Sequence, residues 1–292
     1  MKKFRYAFIL SLWVSHSLLA TEEVPVTIIP LAAPLDSPEV EISGLTWCGD
    51  TLIVMPQFPG RFDDTGASYF FAIEKSAINA YLDNQNDQPL ASRKIAFYEN
   101  DLRKHITRFD GYEALACRGN ELWLSIEVEN LLSIYHGYVV KASIDLASDT
   151  AQIIVETDQL WDIDSYSKIS NMGEEAMLLD HQRVITFHEL NDPRIADTAR
   201  ATVIDTQTKQ QSTISFPHFP FRVTDSTALD ENNRFWLMNY KYSGDKFSRA
   251  ASDPITDLYG EGASHKEYYN VERLVEFELT KNGIRRIEQP PI

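Results

Sequence analysis

One pattern recurs four times along the 292-residue chain and limits the possible folds more than any other feature. Each copy has a Gly or Ala before a large apolar residue, then a polar turn, then a second apolar run. The copies read "ISGLTWCGDTLIVMPQ", "YEALACRGNELWLSIE", "EEAMLLDHQRVITFHE" and "STALDENNRFWLMNY". The aligned apolar positions are Leu45, Leu115, Met177 and Leu229 in the first run, and Leu52, Leu122, Val184 and Phe235 in the second. Short apolar runs separated by turn formers predict antiparallel strand pairs.

Two further apolar runs follow each pair. The third runs are "FFAIE", "KASID", "ATVID" and "LVEFE", and the fourth are "RKIAFYE", "AQIIVET", "QSTISFP" and "GIRRIEQ". Four strands per unit, repeated along one chain, are typical of a β-propeller. We therefore predict an all-β fold, a β-propeller of four-stranded antiparallel blades. Four repeats are visible, but propeller units usually have about 40–50 residues, so we expect four to six blades. A β-sandwich with accidental similarity is the alternative.

Three details of the fold follow from the same alignment. The small residue in each first strand predicts close packing around the axis, where large side chains would clash. "VPVTIIPL", residues 24–31, is a spare strand that we expect to close the ring against the C-terminal residues 273–289. This closure would remove two exposed sheet edges. "KSAINAYLD", residues 75–83, predicts a short helix in a loop.

The N-terminal residues differ from the rest of the chain. "MKKFRY" is basic, "AFILSLWV" is apolar and "SHSLLA" ends on a small residue, which is the pattern of a secretory signal peptide. We expect residues 1–20 to be removed, leaving residues 21–292 as a single propeller domain that is periplasmic or secreted, with no membrane span. An uncleaved anchor is the alternative. In an exported protein Cys48 and Cys117 are able to pair, but their registers differ by one residue, so the sequence leaves this open.

The charge and the missing motifs exclude several function classes. The formal net charge is −16, and the predicted leader carries basic residues and no acid. A polyanion such as nucleic acid would be repelled by the mature chain, so we expect no nucleic-acid partner. The sequence has no Gly-rich phosphate loop, no Cys-x-x-Cys zinc pattern and no Gly-x-Ser-x-Gly nucleophile elbow.

Polar residues are concentrated where the first strands begin and the second strands end. These two positions share one face of each antiparallel pair. The residues at this face are Glu113 and Glu175, with Asp225 close to a strand start, and Gln57, Glu127, Glu189, His188 and Asn239 at strand ends. Clustered carboxylates repel one another and are costly to desolvate, and a hard cation relieves both costs. Calcium prefers such oxygen ligands, so the predicted metal ligands are Glu113, Glu175, Asp225 and Asn239. The alternative is that these acids only cap backbone groups or pair with residues such as Arg222.

One long segment, residues 239–270, separates the second and third runs of the last unit. Long loops in compact domains are usually functional or disordered, and the five tyrosines here favour order. We predict that the segment folds over the acidic face as a lid. The predicted ligand contacts are Gln57, Tyr240, Tyr259 and His265. The alternative is that the tyrosines pack on the blade and only stabilise it.

The quoted units also resemble known families. "EISGLTWCGDTLIVMPQFP", "GYEALACRGNELWLSIE" and "VTDSTALDENNRFWLMNY" are similar to bacterial secreted propellers grouped as phytase-like or esterase-like domains. This resemblance implies a propeller fold and export and, more loosely, an enzyme. "RVTDSTALD" followed by "MNY" is similar to calcium-dependent lactonase propellers such as the paraoxonases and gluconolactonases. That second resemblance implies that Glu113, Asp225 and Asn239 bind the metal.

Together these features predict an exported propeller that binds a small ligand at its acidic axial face through a divalent cation, possible substrates being an ester, a lactone or a phosphoester. In the enzymatic form, Glu127 or Glu189 would activate water. His188 is a third catalytic candidate, although an isolated histidine is more often an ordinary strand residue. The alternative is a non-catalytic binding or scaffold propeller with purely structural carboxylates. The sequence does not predict the oligomeric state.

Overall fold

Strands dominate the protein, which confirms the all-β prediction. The computed structural model describes residues 23–62, 66–129, 136–147, 150–165, 167, 169, 172–195, 197–242, 244 and 253–292. The predicted signal peptide, residues 1–20, lies outside the described residues. Within the described ranges the strands form four antiparallel groups of four, here called units 1 to 4.

The strand bounds follow the four repeats. Unit 1 has β1 (Ile42–Cys48), β2 (Thr51–Pro56), β3 (Ser68–Glu74) and β4 (Arg93–Tyr98); unit 2 has β5 (Phe109–Arg118), β6 (Glu121–Val128), β7 (His136–Asp145) and β8 (Gln152–Asp164). Unit 3 has β9 (Glu174–Asp180), β10 (Arg183–His188), β11 (Arg200–Asp205) and β12 (Gln211–Ser215); unit 4 has β13 (Arg222–Ser226), β14 (Arg234–Lys241), β15 (Val271–Thr280) and β16 (Gly283–Arg286). The helices are α1 (Lys75–Leu82), α2 (Pro254–Tyr259) and α3 (Ala263–Glu267), with 3-10 turns at Pro38–Val40, Pro59–Phe62 and Leu102–Lys104. In the described part of the chain, no helix has the length and apolarity needed to cross a membrane.

The units are arranged through their first strands. β1 packs beside β5, β5 beside β9, and β9 beside β13. Units 1 and 2 are also joined at their outer strands, because β4 pairs in parallel with β8 over three residues of each. One buried apolar cluster lies in units 1 and 2, a second in units 2 and 3, and a third in units 3 and 4. The predicted helix at 75–83 forms α1, which packs against the sheet of unit 1.

The small residues of the first strands are crowded in three units but not in the fourth. A Cβ on Gly44 would lie 2.5 Å from Leu115 Cδ2, so a larger residue would clash there. Ala114 and Ala176 are buried. Ala228, the equivalent residue of unit 4, is exposed. The predicted close packing therefore holds between successive units and is missing on the side of unit 4 that faces unit 1.

The predicted closing strand pair is wrong. β15 pairs with β14 and β16, and in the described part of the chain no strand pairs with the outer edge of β16. Residues 24–30 form no strand, and Pro25 and Pro30 have no backbone N–H to donate to a ladder. Leu31 forms a bridge with Leu90 of unit 1 instead, and the Glu23 carboxylate accepts hydrogen bonds from Ser264 in unit 4. The N-terminal segment therefore runs from unit 4 to unit 1 without becoming a strand.

Cys48 and Cys117 form a disulfide with a Cα–Cα distance of 5.5 Å. The bond joins the ends of β1 and β5, and therefore units 1 and 2. These two strands pack against each other and do not pair in one ladder. The one-residue difference in register therefore does not place the two thiols on opposite faces.

Candidate functional site

Four glutamates from units 2 and 3 come together where the first strands begin. They are Glu113 on β5, Glu127 at the end of β6, Glu175 on β9 and Glu189 just after β10, and we call them the carboxylate cluster. The charges of Glu127 and Glu189 act on Glu113, and those of Glu113, Glu127 and Glu189 act on Glu175. Three of the four, all but Glu175, are almost completely buried. The cluster contains two predicted catalytic residues and two predicted metal ligands.

Local backbone irregularities place these side chains. β5 pairs with β6 so that Gly111 faces Glu127, and the register shifts on both sides of this contact. Gly111 has φ of 139°, and a Cβ there would lie 2.5 Å from the Gln57 side chain. Only glycine fits such a position without strain. The register between β9 and β10 also shifts near its end, and the N–H of Glu189 donates to the Gly173 carbonyl at 2.8 Å. Register shifts of this kind commonly redirect side chains beside functional sites.

Units 1 and 4 each supply a side chain that contacts the cluster. The amide of Gln57, which follows β2, donates to Glu113 Oε1 at 2.8 Å. The guanidinium of Arg222, the first residue of β13, forms an ion pair with Glu189. All four units therefore contribute to one polar region, as the strand-end argument predicts. The ion pair of Arg222 agrees with the alternative interpretation, in which the clustered acids pair with residues such as Arg222 and have only a structural role.

The cluster is too crowded for all its carboxyl groups to ionise easily. Burial, together with repulsion from Glu127, raises the pKa of Glu113 to about 8, although the Gln57 amide opposes this rise. Burial and the charge of Asp110 raise the pKa of Glu127 to about 7. The pKa of Glu175 lies well above its usual range because its carboxyl group is buried and the other three glutamates repel its charge. Within the described residues, Glu127 Oε1 is buried without a hydrogen-bond partner. Such a group is available to a ligand, a water or a proton.

The four predicted metal ligands are not brought together. Glu113 and Glu175 belong to the cluster, whereas Asn239 belongs to another network. Its amide donates to the carbonyls of Pro220 and Arg222, and its oxygen accepts from Arg273. Asp225 accepts a hydrogen bond from the Ser226 N–H, and burial raises its pKa to about 7. Among the residues that the structure describes, no group of three or more His, Cys, Asp or Glu side chains is placed to hold a metal.

His188 has the environment of a structural residue. It is 1% exposed, and its Nδ1 accepts a hydrogen bond from the Leu190 N–H. Its Nε2 lies 2.8 Å from Ser165 Oγ and 3.0 Å from Ser167 Oγ. Burial lowers the pKa of His188 to about 4, so the ring is neutral at physiological pH. These contacts agree with the interpretation of His188 as an ordinary strand residue, and its catalytic role stays an untested prediction.

The described part of the long loop packs on unit 4. Ile255 is 2% exposed and lies in the apolar cluster of units 3 and 4, against which Tyr259 also packs. Asp253 caps α2 and forms two hydrogen bonds with Arg273 of β15. His265 lines a small cavity of about 80 Å³ that Glu23 and Arg273 also line. Tyr240 lies on β14, where the Arg222 guanidinium is 5.8 Å from its ring centroid. The packing of Tyr259 agrees with the alternative in which the tyrosines stabilise the blade, whereas Tyr242, Tyr268 and Tyr269 are exposed. The lid stays an untested prediction.

Truncating Ile255 tests how firmly this loop is docked. We expect Ile255→Ala to lower the free energy of unfolding by about 3 kcal/mol, because the change removes a buried side chain and leaves a cavity. Urea unfolding, followed by circular dichroism, measures the loss. Leu258→Ala on the same helix is the matched control, since Leu258 is 45% exposed, and its effect should stay below about 0.5 kcal/mol. Equal and small losses in both variants would show that α2 does not dock.

Sequence reasoning missed two polar residues of the region, Arg273 and Asp253. Arg273 is 6% exposed and connects Asn239 to Asp253. Arg273 lies within an ordinary strand pattern, so nothing local marks it. Asp253 carries a weak signal, because an Asp before Pro and an apolar helix is a common N-cap.

Comparisons with known proteins do not identify the chain. No protein-family profile matches it, and no curated protein matches it. Among solved structures, a Cellvibrio cellulosa alpha-L-arabinanase is 12% identical, with 84% of this chain and 74% of that chain covered and a TM-score of 0.39. A glucose dehydrogenase is 10% identical, with 85% and 86% covered and a TM-score of 0.38. A mutant of Synechocystis apocarotenoid oxygenase is 11% identical with a TM-score of 0.35, and this chain spans about half of its length (84% and 47% covered). Scores this low transfer neither activity nor ligand, and the phytase-like resemblance stays a hypothesis.

Proposed function

We propose that the chain is a four-bladed β-propeller that binds a small polar ligand at the carboxylate cluster. Each of the four units has the strand order of a blade, and the first strands of successive units pack side by side. The cluster lies where those first strands begin, and each unit supplies at least one polar side chain to the region. Ligand sites of propellers occupy such axial positions because several blades converge there.

The chemistry that suits the cluster is general acid–base hydrolysis. With a pKa of about 8, Glu113 keeps its proton at neutral pH and is suited to donate it to a leaving group. With a pKa of about 7, Glu127 is partly ionised at the same pH and is suited to activate water. The observation that carries the proposal is the pair of buried glutamates in one cluster, both with pKa values raised towards neutrality, of which Glu127 has an Oε1 without a hydrogen-bond partner in the described part of the chain. The substrate classes are those suggested by the sequence: an ester, a lactone or a phosphoester.

Calcium remains a separate proposal. The donor atoms are carboxylate and amide oxygens, which calcium prefers, and the buried Oε1 of Glu127 has no hydrogen-bond partner among the described residues. However, no trio of acids in the described residues is arranged as metal ligands are. The acid and base roles of Glu113 and Glu127 do not depend on a metal. If a cation binds, we expect Glu113 and Glu175 to hold it and protons to be displaced from the cluster.

A substrate panel tests the hydrolase. We expect turnover of a nitrophenyl ester, a lactone or a nitrophenyl phosphate, and we expect Glu127→Gln to reduce kcat by about 100-fold or more. The pH profile of kcat/KM should be bell-shaped, with its limbs near the pKa values of the two glutamates. Glu231→Gln is the control, because Glu231 is exposed and lies outside the cluster. Turnover that is unchanged in Glu127→Gln would refute the assignment.

The same panel, repeated with chelator and then with added calcium, separates the metal proposal from the acid–base proposal. Calcium should raise the melting temperature if only the folded protein holds the ion, and Glu113→Gln with Glu175→Gln should abolish that increase. Melting that is unchanged by calcium, magnesium and manganese would exclude the cation and leave the acid–base chemistry standing.

A non-catalytic propeller is the second candidate, and a specific observation favours it. Gln57 and Arg222 each connect a neighbouring unit to the cluster, through Glu113 and Glu189. Such bridges also suit acids whose only role is to hold the units together. A panel without any turnover, combined with a loss of stability in Arg222→Met, would favour this candidate.

We also propose that the protein is exported. The pattern of residues 1–20 supports this, and so does the bond between Cys48 and Cys117, because disulfides persist in oxidising compartments. N-terminal sequencing of the protein from its native cells should find a chain that starts near Thr21 outside the cytoplasm. Full-length protein in the cytosol would contradict the proposal.

A further inference from the structure

A mostly apolar cleft separates unit 4 from unit 1. Its volume is about 380 Å³, and none of the four glutamates of the cluster lines it. One wall comes from β1 and β2, and the other comes from β13, β14, β15 and the residues after β13. Its lining includes Leu45, Trp47, Asp225, Ala228, Trp236 and Met238.

The repeat shows what is unusual about this cleft. Trp236 of unit 4 occupies the position of Trp123 in unit 2. Trp123 is 1% exposed and shares a buried cluster with Met177 and Val184 of unit 3. The equivalents of those two residues in unit 1 are Leu45 and Leu52, and both line the cleft opposite Trp236. The cleft between units 4 and 1 therefore corresponds to the contact between units 2 and 3. In the cleft the two walls are far enough apart to hold a small molecule.

The exposures agree with this comparison. Leu45 is 41% exposed, whereas its equivalent Met177 is 3% exposed. Trp47, which also lines the cleft, is 44% exposed. An indole ring is therefore available on each wall, from Trp47 in unit 1 and from Trp236 in unit 4. Large apolar side chains left accessible on two facing walls mark a ligand-binding groove more often than an ordinary surface.

The polar residues at one end of the cleft restrict which ligands the cleft is able to bind. The Ser226 hydroxyl donates to the Met177 carbonyl, and the Thr227 hydroxyl donates to the Ala228 carbonyl. Both hydroxyl protons are therefore already used. Asp225 is the carboxylate in the lining, and it offers acceptor oxygens in a mostly apolar space.

We propose that this cleft is a second binding site, for a small planar apolar molecule that carries one hydrogen-bond donor. The ring system lies between Trp47 and Trp236, and the donor faces Asp225. The volume is near the lower end of the range for small-molecule sites, about 300–1,000 Å³. A concave space of this size between two walls suits a small molecule better than the flat surface of a second copy.

The test uses N-phenyl-1-naphthylamine, an apolar aromatic fluorophore with a single N–H, titrated into the full chain. We expect saturable binding, and we expect Ala228→Trp to weaken it about tenfold or more by filling the cleft. Thr213→Trp is the matched control, because it adds the same side chain at an exposed position of β12 outside the cleft. Thr46→Trp, on the opposite wall, is the second blocking variant in case Ala228→Trp does not fold.

Two further measurements locate the probe. Energy transfer from tryptophan to the bound probe should fall in Trp47→Phe and in Trp236→Phe. Asp225→Leu should weaken binding of the amine about fivefold, through the loss of one hydrogen bond, and should not weaken binding of 1-phenylnaphthalene, which has no N–H.

Three results would overturn the proposal. The first is that Ala228→Trp and Thr46→Trp bind the probe with the same affinity as the control Thr213→Trp. The probe would then lie outside the cleft. The second is a lack of saturable binding. The third is a dimer, in size-exclusion chromatography, that Ala228→Trp converts to monomer, because a second copy would then cover the cleft. None of these results depends on hydrolytic activity, so the carboxylate cluster is tested separately.

Discussion

Replacing both Cys48 and Cys117 by serine is expected to lower the free energy of unfolding by about 4 kcal/mol. The two cysteines are separated by 69 positions in the sequence, and the bond closes this long loop in the unfolded chain. Its removal gives the unfolded chain more conformations, and the loss grows with the length of the loop. The double variant is preferable to either single variant, because a remaining free thiol would be reactive.

Urea unfolding of the oxidised wild type and of the double variant measures this loss. Adding reductant should destabilise the wild type by a similar amount and should leave the variant unchanged. Cys48 is buried in the cluster of units 1 and 2, so a small part of the loss comes from placing a hydroxyl there. If the oxidised wild type and the variant unfold at the same urea concentration, the bond is not formed in solution.

The strands could be predicted well from the sequence because the same local pattern occurs four times along the chain. A small residue, an apolar residue, a turn and a second apolar run describe a strand pair wherever they occur, and they located units 1 to 4. The way in which the last unit meets the first depends on contacts between residues more than 200 positions apart, such as Glu23 with Ser264. Such contacts leave no periodic pattern. Ala228 shows the limit, because it matches Ala114 and Ala176 in the alignment although its surroundings are open.

The candidate site likewise has a part that could be predicted from the sequence and a part that could not. Antiparallel pairing places the start of one strand beside the end of the next, and this rule correctly brought Glu113 near Glu127 and Glu175 near Glu189. The same rule placed Asn239 at that face, but it cannot say which partner takes the side chain. Arg273 binds the Asn239 oxygen, and Arg273 is itself fixed by Asp253 from the long loop. A choice among competing partners is a tertiary property, and the residue types alone do not determine it.

Glu113→Gln is expected to stabilise the protein increasingly as the pH rises. In the folded protein the pKa of Glu113 is about 8, against an ordinary value of 4.5. The folded wild type therefore keeps a proton that the unfolded chain releases, and its stability falls as the pH rises from about 5 to about 8. Glutamine resembles the protonated acid in shape and is still able to accept the hydrogen bond from Gln57. The variant avoids the cost of ionisation, which is on the order of 1.4 kcal/mol per pH unit and therefore on the order of 4 kcal/mol over this range.

The difference between the two proteins reports the titration of Glu113 together with its effect on the other glutamates of the cluster, because groups outside the cluster, such as His188, titrate alike in both. Urea unfolding at pH 5, 6, 7 and 8 should give curves that nearly coincide at pH 5 and separate steadily towards pH 8. Glu231→Gln, which neutralises an exposed glutamate away from the cluster, should follow the wild type at every pH. A constant gap between wild type and Glu113→Gln would mean that Glu113 is ionised in the folded protein throughout this range. The acid role proposed for Glu113 would then be wrong, since a proton donor must still hold its proton at neutral pH.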